Sequence, residues 1–420
     1  MGQRLYGHLD ALWSAFQPGR TIYVPGATGE SRALAVALRD QMEVSAGVRF
    51  VSCLVPGMNE TVDYGGLAPD CTVTTFMLPA CMRDSLARGR VTLLPRTYWG
   101  AARYLQAIAC DVAIAHVAPP NADGLCSLGV ASDFTSLVWP NAMFKVLLVN
   151  PAMPILPRAR MLAVADADLL VTLEGPLIEA PIAKETGIAA AIARRVAALV
   201  PDGAHIQTGI GSAPDRVWTF LRDHRGLVLR SGMANGGLRE LAEAGALADG
   251  GAHLAGIAYG SVDFYNWLRD TDLVEFATTL ETHGLPALIA TPRLHSINSA
   301  LEVDLFGQVN VEWQGSSLSG GVGGGPDFMR AATFSPGGRS IIALPATAEL
   351  GMMSRIVARL DRPSVSVARS DIDTVVTEHG VAELRDKGVD ERAQALIAVA
   401  APNFRTELEE QWHALRATFG

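Results

Sequence analysis

The sequence predicts an α/β protein made of two successive halves, each a parallel sheet with helices on both faces. Two observations carry this. Short apolar runs of strand length alternate with stretches whose apolar residues recur at helical spacing. Near residue 185 that alternation breaks and then begins again. Strands that are apolar throughout, rather than at every second residue, are buried on both faces, which is the condition of parallel sheets. A chain of 420 residues exceeds one ordinary core, so the halves read as domains spanning 1–185 and 186–420.

Each element follows from its own stretch. In the first half, "TIYVPG" is a strand entering a glycine turn, and "VRFVSCLV" has the length of a buried strand. "CDVAIAHVAPP" and "MFKVLLVNPAMP" are two more strands, each closed by Pro, and "DLLVTLEGPL" follows. "SRALAVALRDQM" and "YWGAARYLQ" are the helices between them. In the second half "APIAKETGIAAAIARRVAALV" reads as one long Ala-rich helix. "PDGAHIQTGIGSAPDRVWTFL" and "GLVLRSGMANGGLRELAEAG" are each a strand, a glycine-rich turn and a helix. In the second of these, Leu238, Leu241 and Ala242 form the buried stripe, while Arg239, Glu240 and Glu243 face outward. Further strands are expected in "LVEFA", "LHSINSALEVDLFGQVNVEW", "RSIIAL" and "SVSVARS", and closing helices in "DERAQALIAVA" and "NFRTELEEQWHALRATF".

Composition narrows the function. Hydrophobic residues make up 49% and charged residues 18%, which describes a packed globular chain. A formal net charge of -9 argues against nucleic acid or an anionic membrane as the main partner. No apolar run is long enough to span a bilayer. The opening "MGQRLYGHLDALWSAF" carries Asp10 in its apolar region and makes a poor signal peptide. Cys53, Cys71, Cys81, Cys110 and Cys126 are scattered without C-x-x-C spacing, so reduced thiols and a cytoplasmic location are expected. The His residues show no metal-binding spacing, so no metal site is expected. There is also no G-x-S-x-G nucleophile elbow.

Three glycine-rich stretches sit where chemistry could be done. "GATGES" (Gly26–Ser31) joins a strand to a helix but lacks the dinucleotide spacing. "TGIGSAPD" places Gly209 and Gly211 at a strand-to-helix turn, where exposed N–H groups attract an anion. A tight turn alone would account for the same residues. "SLSGGVGGGPDF" has five glycines among the six positions 320–325. A linker is one reading of it. Its place between strand-like "QVNVEW" and helix-like "DFMRAATF" favours a loop whose backbone approaches a ligand and whose N–H groups form an oxyanion hole.

Several stretches together resemble the acetyl-CoA hydrolase/transferase family, which includes succinyl-CoA:acetate and 4-hydroxybutyrate CoA-transferases. They are "DVAIAHVAPPNADGLCSLGVASDFT", "VNPAMP", "TGIGSAPDRV", "SINSALEVDLFGQVN", "SGGVGGGPDFMRAA", "GGRSIIALPATA" and "DIDTVVTEHGVAELRDKGVDERAQALIAVAAPNFR". The resemblance runs over nearly the whole chain. It implies two tandem open α/β domains of the CoA-transferase type, an active site between them and a homodimer. It also implies ping-pong chemistry, in which a Glu carboxylate attacks an acyl-CoA and passes through an acyl anhydride and a glutamyl-CoA thioester.

The reacting centre departs from that pattern. The family's Glu stands in a T-E-M-x-S-D-G-like stretch, and its position falls here on Gly232 within "SGMANGG". The Asn of a Y-x-N-D-P-like stretch falls on His283, or on Gly284 with a one-residue slip. Substrate contacts are implied for Ser231, Gly232, Met233, Ala234, Asn298 and Glu378. CoA contacts are expected at Gly209, Gly211, Gly321 and Val322, and oxyanion donors at Gly323 and Gly324.

A glycine cannot form an anhydride. The first expectation is therefore an enzyme that takes an acyl-CoA or related thioester as substrate, holds no permanent cofactor, and transfers, cyclises or hydrolyses the acyl group directly. Space left by the missing side chain would admit an acceptor of unspecified identity, with His283 as general base. One alternative is a CoA-transferase whose nucleophile has moved to Glu312 or Glu378. The other is a non-catalytic acyl-CoA-binding protein.

Overall fold

The computed structural model describes residues 5–181, 186–250 and 253–419. Residue 185, the predicted end of the first half, lies outside them. The first half forms an eight-stranded sheet from β1 (Leu5–Gly7), β2 (Thr21–Tyr23), β3 (Arg49–Val51), β4 (Thr72–Thr75), β5 (Val91–Leu93), β6 (Cys110–Val117), β7 (Ala142–Val149) and β8 (Leu169–Thr172). The spatial order is β1-β8-β7-β6-β2-β3-β4-β5, and every neighbouring pair is parallel.

The second half builds a six-stranded sheet from β9 (His205–Thr208), β10 (Val228–Leu229), β11 (Leu294–Asn298), β12 (Arg339–Ala343), β13 (Thr374–Thr377) and β14 (Gly380–Glu383). Its order is β10-β9-β11-β12-β13-β14, parallel except for the last pair, a tight hairpin.

The apolar runs become parallel strands because both faces of each sheet are covered. Along β6, Val112 and Ile114 pack into one hydrophobic cluster, while Ala113, Ala115 and Val117 pack into another on the opposite face. In the second sheet, Ile341 and Ala343 enter one cluster and Ile342 another. Period-two geometry sends successive side chains to opposite faces, so both faces are buried and the few polar residues on them, such as His116 and Ser296, are hydrogen-bonded.

The covering helices are α1 (Arg32–Asp40), α2 (Tyr98–Ala107), α3 (Gly187–Ala197), α4 (Ser212–Phe220), α5 (Gly236–Glu243), α6 (Thr279–Thr282), α7 (Gly325–Phe334), α8 (Val389–Val399) and α9 (Arg405–Arg416). Hydroxyl and amide side chains begin several of them. Ser31 Oγ accepts the Leu34 N–H at 3.2 Å, and Asn235 Oδ1 accepts the Gly237 N–H at 3.2 Å. On α5, Leu238 and Leu241 are buried and Arg239, Glu240 and Glu243 are exposed, as the periodicity predicts, while Ala242 of the expected stripe is only half-buried.

Two sequence expectations differ from the fold. The Ala-rich helix runs from Gly187, where Thr186 caps it with Oγ1 accepting the Ala189 N–H at 3.1 Å, and residues 182–185 of the predicted stretch lie outside the described residues. "SVSVARS" makes a single bridge, Val309 to Val367, instead of a strand. Its Ser366 hydroxyl is occupied with the Val311 N–H and the Glu312 carboxylate, which takes the segment out of a regular ladder.

The halves share one hydrophobic cluster and meet along a seam. Val130, Met153 and Leu156 from the first half pack in the same cluster as Trp218, Leu238 and Phe276 from the second. Two bridges cross the seam, Ala131 to Ile257 and Thr97 to Gly323. Arg158 pairs with Glu275 at 2.9 Å across it, and Arg160 with Glu281. All five cysteines are free thiols. Among the described residues, no helix is long and apolar enough to cross a membrane.

Candidate active site

A cavity of about 430 Å³ opens at the seam between the two sheets, a size that suits a small-molecule site. Its walls are glycine loops and strand ends. One wall is the turn from β9 to α4, where the Gly209 N–H donates to the Ile297 carbonyl at 2.8 Å. A Cβ on Gly209 would collide with the Asn298 amide, so glycine lets that amide reach the cavity. Asn298 is held there by a closed network. Its Nδ2 donates to Gln207 Oε1 at 2.9 Å, Gln207 Nε2 donates back to Asn298 Oδ1 at 3.1 Å, and Ser296 Oγ donates to Gln207 Oε1 at 2.6 Å.

The second wall is the glycine loop 320–325, which is docked against the first half rather than hanging as a linker. The Leu78 N–H donates to the Gly320 carbonyl at 3.1 Å, and the Tyr98 N–H to the Gly323 carbonyl at 3.2 Å. The Asp327 carboxylate, buried one turn into α7, accepts the Trp99 N–H at 2.9 Å and so ties α7 to the start of α2. Gly323 takes φ +68°, open chiefly to glycine. The loop delivers Gly324 and Gly325 to the cavity at the first turn of α7, where amide N–H groups have no acceptor within the helix and the helix dipole is positive.

The third wall is the corner where a family nucleophile would stand. Gly232 enters a short strand, Met233–Asn235, and its carbonyl accepts the Gly256 and Ile257 N–H groups at 3.0 and 3.1 Å. The expected empty space above Gly232 is absent, because the imidazole of His283 fills it. A Cβ on Gly232 would lie 2.7 Å from His283 Cε1 and 3.0 Å from Nε2. A Cβ on Gly324 would meet the same Nε2. The ring is therefore wedged between the two glycines. Tyr98 and Phe328 flank it, with ring centroids 5.4 and 4.7 Å away.

The chemistry of His283 is set by this packing. α6 is a single capped turn ending at His283, with Thr278 and Glu281 forming a capping box. The Thr282 hydroxyl donates to the Thr278 carbonyl at 3.3 Å, which leaves it to accept from His283 Nδ1 at 2.8 Å. That pairing puts the proton on Nδ1 and a bare lone pair on Nε2, facing the glycine loop. Burial pushes the imidazole far below the ordinary His range, to about 3, and the positive Arg230 adds to the shift. His283 is thus a neutral hydrogen-bond acceptor at physiological pH, and a weak base.

One cavity gathers Gly209, Gly232, Met233, His283, Asn298, Gly321, Val322, Gly323 and Gly324. Four other expected contacts lie outside its lining. Ser231 is buried, its Oγ accepting the Met233 N–H at 3.2 Å, and Ala234 belongs to the hydrophobic core. Gly211 sits farther along its turn at φ +149°. Glu378 Oε2 accepts the Ala346 N–H at 2.9 Å. Glu312, the other alternative nucleophile, is buried with its Oε2 accepting the Ser366 hydroxyl at 2.7 Å and is also outside the lining. Glu240 and Glu243 are exposed on α5.

Sequence reasoning missed Asp133, Tyr98 and Arg355, which all line the cavity. Asp133 had a signal: it is a lone carboxylate in the small, apolar run "SLGVASDFT". Arg355 also lines the cavity and donates to the Ala300 carbonyl at 3.1 Å. Its sequence context, "MMSRIVARL", carries no comparable mark.

The family model "Acetyl-CoA hydrolase/transferase C-terminal domain" matches residues 260–412. The 4-hydroxybutyrate coenzyme A transferase of Clostridium kluyveri is 32% identical over 395 residues, covering 92% of each chain. The crystal structure of RipA from Yersinia pestis superimposes with a TM-score of 0.89 at 28% identity, covering 98% of this chain and 97% of that one. A 4-hydroxybutyrate CoA-transferase from Porphyromonas gingivalis gives 0.79 at 27% identity, covering 98% and 96%.

Proposed function

From the premise that this chain belongs to the acetyl-CoA hydrolase/transferase family, we propose that it acts on an acyl-CoA or related acyl thioester by direct transfer of the acyl group, without a glutamyl anhydride. The observation that carries this reading is the His283 imidazole standing in the place of any side chain at position 232. Glycine supplies no nucleophile there, and neither Glu312 nor Glu378 lines the cavity.

In this reading the thioester carbonyl sits at the N-terminal end of α7. The amides of Gly323 and Gly324 take up the charge that develops on its oxygen, worth about 3 kcal/mol per donor. Gly209, Gly211, Gly321 and Val322 hold the CoA arm. Met233 and Asn298 border the acyl group, and Glu378 supports the Arg355 side of the site by holding the Ala346 backbone. The acceptor binds against His283, whose neutral Nε2 accepts a hydrogen bond from it and orients its lone pair toward the carbonyl. The acceptor–carbon bond forms, the carbon–sulfur bond breaks, and CoA leaves as the thiol. The products are an acid, an ester or amide, or a ring where the acceptor belongs to the acyl chain. No permanent cofactor takes part, the working form is a homodimer, and the setting is the cytoplasm.

Thiol release from acetyl-, butyryl- and 4-hydroxybutyryl-CoA tests this directly. The expected result is turnover that falls about 100-fold in His283→Ala, with no hydroxylamine-reactive Glu peptide found by mass spectrometry. A modified Glu peptide would instead restore the ping-pong route. Binding of every thioester without any thiol release would mark a non-catalytic acyl-CoA-binding protein.

A further inference from the structure

Among the described residues, Asp133 is the one carboxylate that lines the cavity, and it has no role so far. Asp133 lies just before the short helix Thr135–Val138, is 7% exposed, and faces the cavity from the first half. Among the described residues, no cation is paired with it. The titratable groups around it are Tyr23, Cys53 and Tyr98, all neutral at physiological pH. His283, its ring centroid 5.4 Å from that of Tyr98, is neutral too. Asp133 also stands at the altered corner. A Cβ on Gly256 would lie 3.4 Å from Asp133 Cβ and 3.1 Å from the Gly232 carbonyl, so Gly256 separates the two by a single residue's thickness. The Thr279 N–H donates to the Asp133 carbonyl at 2.9 Å, which seats the start of α6, the turn that ends in His283, on the Asp133 backbone.

We infer that Asp133 is the proton acceptor of the reaction, and that the acceptor substrate is a neutral group bearing a hydroxyl, either water or an alcohol, rather than a carboxylate. This rests on the direct-transfer reading above. The argument is one of charge and place. Arg355 lines the same cavity but is engaged with the Ala300 carbonyl, so a carboxylate set against Asp133 is repelled, whereas a hydroxyl satisfies Asp133 with a hydrogen bond. His283 Nε2 is too weak a base to take that proton, yet it holds the acceptor beside Asp133. Burial pushes the Asp133 carboxyl up to about 7, despite N–H groups of Phe134 and Asp133 itself that favour the anion. A base poised there is matched to neutral pH. The step balances: the hydroxyl oxygen bonds to the acyl carbon, its proton passes to Asp133, the carbon–sulfur bond breaks, and the proton returns to the departing thiolate.

Asp133→Asn keeps the shape and removes the proton acceptor. Thiol release from the three thioesters, in water and with glycerol as alcohol, should fall at least 100-fold in kcat with KM little changed. The rise in wild-type log kcat through about pH 7 should disappear, and Asp133→Glu should recover part of the rate. A purely structural role would not remove the pH-dependent limb. As a folding control, thermal melts of Asp133→Asn against wild type should show the variant relatively more stable at pH 8 than at pH 5, because it no longer buries a charge. Unchanged rate and pH profile in Asp133→Asn overturn the inference while leaving direct transfer standing, whereas a hydroxylamine-trapped acyl adduct on Asp133 would make it a nucleophile and overturn both. No thiol release from wild type removes the functional reading, and the inference with it.

Discussion

Gly321 and Gly232 both line the cavity without a side chain, and they do so for opposite reasons. At Gly321 a Cβ would run into the Phe76 carbonyl and lie 2.8 Å from Met77 Cα, both main chain. The crossing of the two halves leaves no alternative there. At Gly232 a Cβ would meet only the tip of the His283 ring. That glycine answers to one side chain, and the pair can be exchanged together. The first glycine belongs to the architecture and the second to the chemistry.

The largest effect is expected at the architectural position. Gly321→Ala should destabilise by about 3 kcal/mol, since neither backbone can retreat, as read by urea denaturation. A loss under about 1 kcal/mol would mean that the seam yields, and the contrast would fail. Gly232→Ala should cost less, about 1–2 kcal/mol, because a side chain rather than main chain must move. In a cycle with His283→Ala, the double variant should recover at least about 0.5 kcal/mol of the summed losses. Strict additivity would uncouple the two positions.

Acid should sharpen the same contrast from the His283 side. Burial holds His283 at about 3 and His116 at about 4 in the folded protein, against roughly 6.5 unfolded. As pH falls below about 6.5 the unfolded chain takes up protons that these rings refuse, so stability falls with falling pH, by at most about 1.4 kcal/mol per pH unit for each ring. Asp133 works in the opposite sense. Its raised pKa makes the folded state the better proton binder from about 4 to 7, so its contribution falls as pH rises through that window. His283→Gln should flatten the acid limb of a Tm-against-pH plot. An unaltered limb would show that the ring is not kept neutral.

The smallest effect is expected at Glu243. It pairs with Arg239 at 2.7 Å on the exposed face of α5. Glu243→Ala should change stability by no more than about 0.5 kcal/mol and leave thiol release unaltered. A fall in turnover would place this carboxylate in the chemistry after all.

Much of the site was legible because its signals are local. The glycine run 320–325, the turn at Gly209 and the family frame around Gly232 stand in continuous sequence, and the structure brings them to one cavity. Glu378 was read from a signature in the same way, yet it lies outside the lining, because a motif does not reveal which way its side chain turns. Asp133 was passed over since a single carboxylate carries no spacing. Its importance depends on what surrounds it, and Thr279, Gly256 and Tyr98 arrive from distant parts of the chain.

By itself the sequence determined the alternation of buried strands and helices, the glycines at the turns, and the absence of a carboxylate at position 232. Those follow from periodicity and residue identity, which are properties of neighbours along the chain. Only the tertiary structure decided that the vacancy at Gly232 is closed by an imidazole, that burial keeps this imidazole neutral, and that the acid sharing its cavity is Asp133. Protonation and occupied space depend on desolvation and contact, and both are set by residues that are neighbours only once the two halves have met.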